Sequence, residues 1–144
     1  MKTKHFTIMK SVSINAVGAK IGNYTLLVSK AVKTYGHDDS LPYNADFKVW
    51  NDTEKKKHFS GKAWNDGWGG DSVVEIDKAE DNEKLKDFDR LCKENIILKW
   101  KDLEIPFGID KVIDFLAELL IFNKDRVGGY IFSTKAINDY INKI

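Results

Sequence analysis

Cysteine, proline and arginine are all scarce in this sequence, and two of these scarcities exclude a class of protein. The one cysteine, Cys92, cannot form a disulfide within the chain, so no feature indicates an oxidising compartment and we expect a cytoplasmic protein. Only Arg90 and Arg126 are arginines among the 23 basic residues. Lysine lacks the planar guanidinium that binds phosphate or guanine through two hydrogen bonds. Specific readout of nucleic acid is therefore not expected.

A long apolar run is also missing. The most apolar stretch, Val112–Phe122, has about eleven residues and contains Asp114 and Glu118, whereas a membrane-spanning helix needs about 20 residues. Polar residues interrupt the first 19 positions, so the sequence predicts neither a signal peptide nor a membrane anchor. The formal net charge is only +1, which argues against a surface dedicated to phosphate groups.

The composition is that of an ordinary folded domain. Hydrophobic residues make up 42% of the 144 positions and charged residues 31%, which leaves enough apolar surface for one core. We expect a single α+β domain over residues 1–144, strand-rich from 1 to 76 and helix-rich from 77 to 144. No sequence pattern calls for a cofactor.

Alternation of apolar and polar residues predicts five strands in the first half. The first covers His5–Ala16, and a turn at Gly18–Asn23 leads into a second that carries Tyr24, Leu26, Val28 and Val32. The remaining three are expected around 47–49, at 58–64 and at 72–76. Turn residues between successive strands indicate an antiparallel meander, either curled into a partial barrel or covered on one face by helices.

The hydrophobic period changes at Asp77, where Asp77-Lys78-Ala79-Glu80 has the form of a helix start. A second helix is predicted from Asp110, with a broad apolar face that must be buried. Ser133 is a candidate N-cap for a third, short helix. Residues 95–100 fit a sixth strand, with a helix as the alternative. Two to three helices are therefore expected to pack on the sheet.

The most unusual segment is a glycine-rich turn between two tryptophans at 64–71. Its candidate binding residues are Trp64, Asp66, Gly67, Trp68 and Asp71. Tryptophan offers a large contact area at little entropic cost, so this turn is suited to gripping a partner. The alternative is a hairpin loop whose indoles cap the end of the core, with glycines required only for the turn.

Two histidines suggest an enzymatic alternative. His5-Phe6-Thr7 and His58-Phe59-Ser60 are both His-x-Thr/Ser on predicted strands. This pair resembles the motifs of the 2H phosphoesterases, which implies that one histidine is the base, the other the acid, and that Thr7 and Ser60 hold the phosphate. The competing interpretation is two surface histidines with hydroxyl neighbours.

Metal and nucleophile chemistry have weaker support. His37-Asp38-Asp39 places an imidazole beside carboxylates, but no spacing typical of a metal site accompanies it, so no metal is expected. Cys92 lies on the apolar side of a predicted helix, where a lone cysteine is usually an inert core residue.

Three functions therefore compete. The preferred one is a non-enzymatic protein-binding or regulatory module; the arginine-poor usage, rich in lysine, asparagine and isoleucine, favours a bacterial or phage accessory protein that binds a host or defence protein. The second is the phosphoesterase that uses His5 and His58. The third is a self-associating structural protein, suggested by the apolar helix at 112–122. Another protein is the expected partner in the first case and a second copy in the third.

Overall fold

Alternating apolar residues form a meander sheet in the first half of the chain, and helices and a smaller sheet follow it. The computed structural model describes residues 2–3, 6–11, 16–34, 42–67, 72–100, 102–121, 126–127 and 130–131. The strands are β1 (Lys2–Thr3), β2 (Phe6–Ser11), β3 (Ala16–Ile21), β4 (Tyr24–Lys33), β5 (Tyr43–Asn51), β6 (Lys56–Asn65), β7 (Val73–Ile76), β8 (Ile96–Trp100), β9 (Leu103–Pro106), β10 (Arg126–Val127) and β11 (Tyr130–Ile131). The helices are α1 (Asn82–Asn95) and α2 (Ile109–Ile121), and a 3-10 turn covers Ala79–Asp81.

The main sheet has six antiparallel strands in chain order, from β2 to β7. The predicted five-stranded antiparallel meander is confirmed over residues 16–76, and both helices pack on one of its faces. Its first strand, β3, was not among the predicted strands, and the predicted strand at His5–Ala16 overlaps β2. The sheet is not closed into a barrel, because β2 and β7 lie at its opposite ends.

The first predicted turn is wrong. Residues 18–21, expected in a turn, belong to β3, because Val17, Ala19 and Ile21 continue the alternation and are all buried. The turn itself is only Gly22-Asn23, between the paired residues Ile21 and Tyr24. Gly22 has φ 59, a conformation that glycine adopts without steric cost.

A bulge interrupts the alternation near the end of β4. The register shifts between Ser29 and Val32, and Lys30 adopts φ 52. As a result Ala31 is buried, whereas Val32, expected on the core face, is 56% exposed. The extra residue moves the following side chain to the other face of the sheet.

The first helix begins later than its sequence signal. Asp77 does not cap a helix: its amide donates a 2.9 Å hydrogen bond to the Ser60 carbonyl, and its carboxylate accepts one from the Ser60 hydroxyl at 2.7 Å. The 3-10 turn follows, and α1 starts at Asn82. Its predicted apolar positions do reach the core, where Phe88 and Cys92 are buried.

Residues 96–100 form a strand, which decides between the two alternatives left open by the sequence. This strand, β8, lies between β1 and β9 in a three-stranded antiparallel sheet, and β9 was not predicted. The Phe107 amide donates a 2.8 Å hydrogen bond to the Ile96 carbonyl, and both side chains are buried. The helix predicted at Ser133 falls outside the described residues.

Helix α2 is the central element of the core. Eight of its residues are buried, and its apolar side chains join those of the sheet and of α1 in one cluster. The apolar stretch that suggested self-association therefore packs within the chain over residues 112–121. Among the described residues, no helix is long and apolar enough to cross a membrane.

Gly61 marks the closest approach within the sheet, as the small residues on that side of β6 indicated. A Cβ atom there would overlap the Glu75 carbonyl oxygen and lie 2.8 Å from Cε1 of Phe47. We expect Gly61→Ala to destabilise the protein by roughly 3 kcal/mol, because strand backbone and a buried ring cannot both move aside. In a chain of this size the melting temperature should fall by about 6–12 °C, measured by thermal denaturation.

Gly18→Ala is the matched control. A Cβ atom at Gly18 would lie 2.9 Å from Cδ2 of Leu27, which is the end of a flexible, half-buried side chain. We expect its stability to stay within about 1 kcal/mol of the parent. Equal melting temperatures for the two variants would contradict the packing argument.

Candidate binding surface

One face of the main sheet carries no described helix or strand. Side chains of β3–β7 alternate between the core, which the helices cover, and the opposite side, named here the open face. The open face consists of Ala16, Gly18, Lys20, Thr25, Leu27, Ser29, Val32, Asn44, Asp46, Lys48, Trp50, Lys57, Ser60, Lys62, Trp64, Val73 and Glu75.

Opposite charges alternate across the centre of the open face. Cross-strand pairing aligns Ser29, Asp46, Lys62 and Glu75 in one row over four strands. The Asp46 carboxylate lies 3.6 Å from Nζ of Lys62 and 3.7 Å from Nζ of Lys30. Beside this row is a depression of about 390 Å³, which also borders on Ser60 and Asp77. The centre is therefore polar, and its charges nearly balance.

Trp50 lies on one side of this row, four residues along β5 from Asp46. Its indole is half-buried, and Nζ of Lys48 lies 5.8 Å from the ring centroid, a cation–π distance. Opposite Trp50 on β4, the Thr25 hydroxyl donates to the Asp52 carboxylate at 2.9 Å. Nζ of Lys20 lies 3.7 Å from the same carboxylate. Sequence reasoning missed Trp50, although it alternates in phase with Lys48 and not with the apolar residues of β5.

Trp64 lies on the other side of the row, two residues along β6 from Lys62. It pairs with Asn44 on β5 and Val73 on β7, and its side chain is half-buried. The six residues that separate Asn44 from Trp50 along β5 correspond to about 20 Å. The two indoles thus flank the charged row. Trp64 was predicted from the sequence as a binding residue, and the structure places its side chain on the open face; its part in binding stays a prediction.

The loop after Trp64 is anchored at both ends by buried polar groups. The Gly67 amide donates to Oδ1 of Asn65 at 2.7 Å, and Nδ2 of Asn65 donates to Oγ of Ser72 at 3.2 Å. The Ser72 hydroxyl in turn donates to Oδ1 of Asp114 on α2 at 3.0 Å. This series of three hydrogen bonds ties both ends of the loop to the core helix.

The other predicted residues of this loop divide into two groups. Gly67 is buried and has φ 82, a backbone conformation that glycine adopts without steric cost, so this residue shapes the turn. Asp66 is exposed. Trp68 and Asp71 lie outside the described residues, so their part in binding stays a prediction.

Asp114 belongs to a buried polar cluster that the sequence did not predict. Asp114, Glu118 and Tyr43 are 4%, 1% and 0% exposed, although the two acids lie in the most apolar helix of the chain. Burial raises the pKa of Tyr43 well above 10, and the nearby charge of Asp114 raises the pKa further. A carboxylate in this position is stabilised by the hydroxyl that donates to it.

The central group of this series, Ser72, provides a stability test. Ser72→Ala should cost about 1–3 kcal/mol, because it leaves Nδ2 of Asn65 and Oδ1 of Asp114 each without the bond described. Ser29→Ala is the control, since Ser29 is half-buried on the open face, and its effect should stay within about 0.5 kcal/mol. Urea denaturation measures both. Equal stabilities would contradict the anchoring role of Ser72.

The phosphoesterase residues are not assembled by the described part of the chain. Thr7 is on β2 and Ser60 on β6, with three strands between them. His58 contacts the rings of Tyr24 and Phe59, with centroids 5.0 and 5.7 Å away. The Ser60 hydroxyl donates to Asp77. His5 lies outside the described residues, so the histidine pair stays a prediction.

His58 offers a pH test of this contact. Partial burial lowers its pKa below 6.5, and the charge of Lys84 lowers it further. An NMR titration of the ring should therefore give a midpoint below 6.5. The unfolded state binds the proton more readily than the folded state. The contribution of neutral His58 to folding stability is therefore complete above about pH 6.5 and is lost as the pH falls through the folded-state pKa. His58→Gln should flatten this dependence, and a midpoint above 6.5 would contradict the contact.

The remaining candidates give no second site within the described residues. Cys92 is fully buried, and burial, with the nearby Asp89 and Asp110 charges, raises its thiol pKa well above 9. His37, Asp38 and Asp39 fall outside the described residues. Within the described ranges, no group of three His, Cys, Asp or Glu side chains is placed to hold a metal ion. Comparison with protein-family models, with curated proteins and with solved structures finds no match.

Proposed function

We propose that the chain is a non-enzymatic protein-binding module that recognises its partner through the open face. The observation that carries the proposal is the pair of half-buried indoles, Trp50 and Trp64, on either side of the charged row. Tryptophan is one of the three residue types that are enriched at the energetic centres of protein interfaces. The paired charges between the indoles provide the polar contacts that fix orientation.

The balance of charge favours a protein over a nucleic acid. Lysines 20, 30, 48, 57 and 62 lie around the open face with Asp46, Asp52, Glu75 and Asp77, which leaves an excess of only one positive charge. A nucleic-acid surface needs an excess of positive charge to displace the counterions of the phosphates. A protein surface that carries both signs of charge complements this pattern.

The anchored loop supports the same proposal. Trp64 is followed directly by Asn65, which is 5% exposed and takes part in the hydrogen bonds to Ser72. The position of the indole is therefore set before a partner arrives. A preorganised contact costs less conformational entropy on binding, which raises affinity.

Substitution of the indoles tests the proposal. The tagged chain and its Trp64→Ala variant are used in parallel to capture proteins from the native host, and the enriched protein is then purified. Trp50→Ala and Trp64→Ala should each weaken its binding by about 30-fold or more, measured by calorimetry. Neither residue is in the buried cluster of the core, so both variants should stay folded.

Lys86→Ala is the matched control, because Lys86 is exposed on α1, away from the open face. It should bind with unchanged affinity. The proposal would be wrong if both tryptophan variants bind with unchanged affinity. It would also be wrong if the parent and the variants enrich the same proteins. Unfolding of the Trp64 variant would instead assign that indole to the core.

A further inference from the structure

A groove runs along the free edge of the main sheet. Strand β7 pairs with β6 on one side and is the last strand of the sheet within the described residues. Two adjoining cavities of about 580 and 420 Å³ lie between β7 and α1. Both are lined by Val74, Asn82 and Leu85, so they form one continuous groove, named here the edge groove.

Backbone groups of β7 point into the edge groove. The Asp77 amide donates to the Ser60 carbonyl of β6, and orientation alternates along an antiparallel strand. Glu75 therefore faces β6, whereas the N–H and C=O groups of Val74 and Ile76 face away from it. In the described part of the chain no strand pairs with this side. Such an edge is a template for one more strand.

The side chains of the edge groove define the chemistry of that strand. Val74, Ile76 and Leu85 are half-buried apolar residues that pack against the core and line the groove. An added strand presents every second side chain to the same face as Val74 and Ile76. Apolar residues at alternate positions would therefore contact Leu85.

The charges around the edge groove are predominantly acidic. Glu75, Asp77, Asp89 and Asp110 line it, against Lys86 and Lys93. Nζ of Lys93 already lies 3.1 Å from Asp89, which reduces its effect on an incoming charge. A basic residue in the added strand is therefore favoured. Two copies paired edge to edge would bring their acidic groups together, which opposes dimer formation by this route.

We propose that the edge groove binds an extended segment of another protein, in which apolar residues alternate with lysine or arginine. The segment adds to β7 as a further antiparallel or parallel strand, through the main-chain groups of Val74 and Ile76. This site uses the outward backbone groups of β7 and not the indoles of the open face, so it is tested separately from the proposed function, although Glu75 and Asp77 border on both surfaces.

A short peptide in which valine and lysine alternate is the probe. At neutral pH and low salt it should bind the full chain, and hydrogen exchange of the Val74 and Ile76 amides should slow by about tenfold at saturation. The Glu75 amide, which faces β6, should change little. A peptide with glutamate in place of lysine should bind about tenfold more weakly or not at all.

Val74→Pro removes an outward donor while sparing the pairing with β6, since proline is tolerated on edge strands. It should weaken peptide binding by about tenfold or more. Leu103→Thr is the control, because Leu103 is 61% exposed on β9 and lines neither the edge groove nor the open face, so this variant should bind as the parent does.

Peptide binding without slower exchange at Val74 and Ile76 would overturn the proposal, and so would the absence of binding. If Val74→Pro fails to fold, the exchange measurement on the parent chain still decides. Sedimentation that shows a dimer whose formation protects the same two amides would assign the edge to a second copy and overturn the proposal as well.

Discussion

The packing of α2 against one face of the meander sheet is the constraint on which the rest of the structure depends. Val112, Ile113, Phe115 and Leu116 are all buried in this contact. Each contributes roughly 1.5–3 kcal/mol relative to an exposed position. This packing covers the core face of the sheet. The residues that alternate with the core residues along each strand therefore lie on the opposite face. The open face follows from the same alternation that builds the core.

The same helix links the core to the loop that follows Trp64. A buried carboxylate is costly unless a donor reaches it, and the Ser72 hydroxyl is the donor described for Asp114. The Asp114 carboxylate needs a hydrogen-bond donor, and Ser72 at one end of the loop provides it. Ser72 in turn accepts a hydrogen bond from Asn65 at the other end, so both ends are held in place. A polar group inside an apolar helix thus positions a tryptophan on the far side of the sheet. The hydrogen bonds that satisfy Asp114 therefore also hold in place the residue that follows Trp64.

Much of this fold could be predicted from the sequence, because alternation and helical period report burial directly. Phe59, Gly61 and Ala63 share a face as their spacing predicted, and the apolar positions of α1 reach the core. The bulge after Ser29 could not be predicted, since no residue type there requires φ 52 at Lys30. Asp77 was misassigned as a helix start because an acidic residue before a helix and one bonded to a neighbouring strand look alike in sequence.

The candidate site was predictable only in part, for a related reason. The Trp64 segment is unusual in composition, so it was recognisable without a structure. The hydrogen bonds that anchor this segment were not recognisable from the sequence, because Ser72 and Asp114 are 42 positions apart and their contact depends on how α2 crosses the sheet. Trp50 was overlooked because its exposure depends on which face of the sheet the helices cover, and this is known only from the structure.

The edge groove follows from a difference in width between the two layers. Six strands span five spacings, or about 24 Å, whereas two helices side by side cover about 20 Å. Helix α2 lies over β3, β4 and β5, and α1 packs beside it, with contacts to β3 and β6. The helices thus make their main contacts with the inner strands β3 to β6, and the outer strands β2 and β7 are less covered. The edge groove lies along β7, one of these outer strands. The side of α1 forms its floor, and its wall is the backbone of β7, whose outward N–H and C=O groups pair with no described strand.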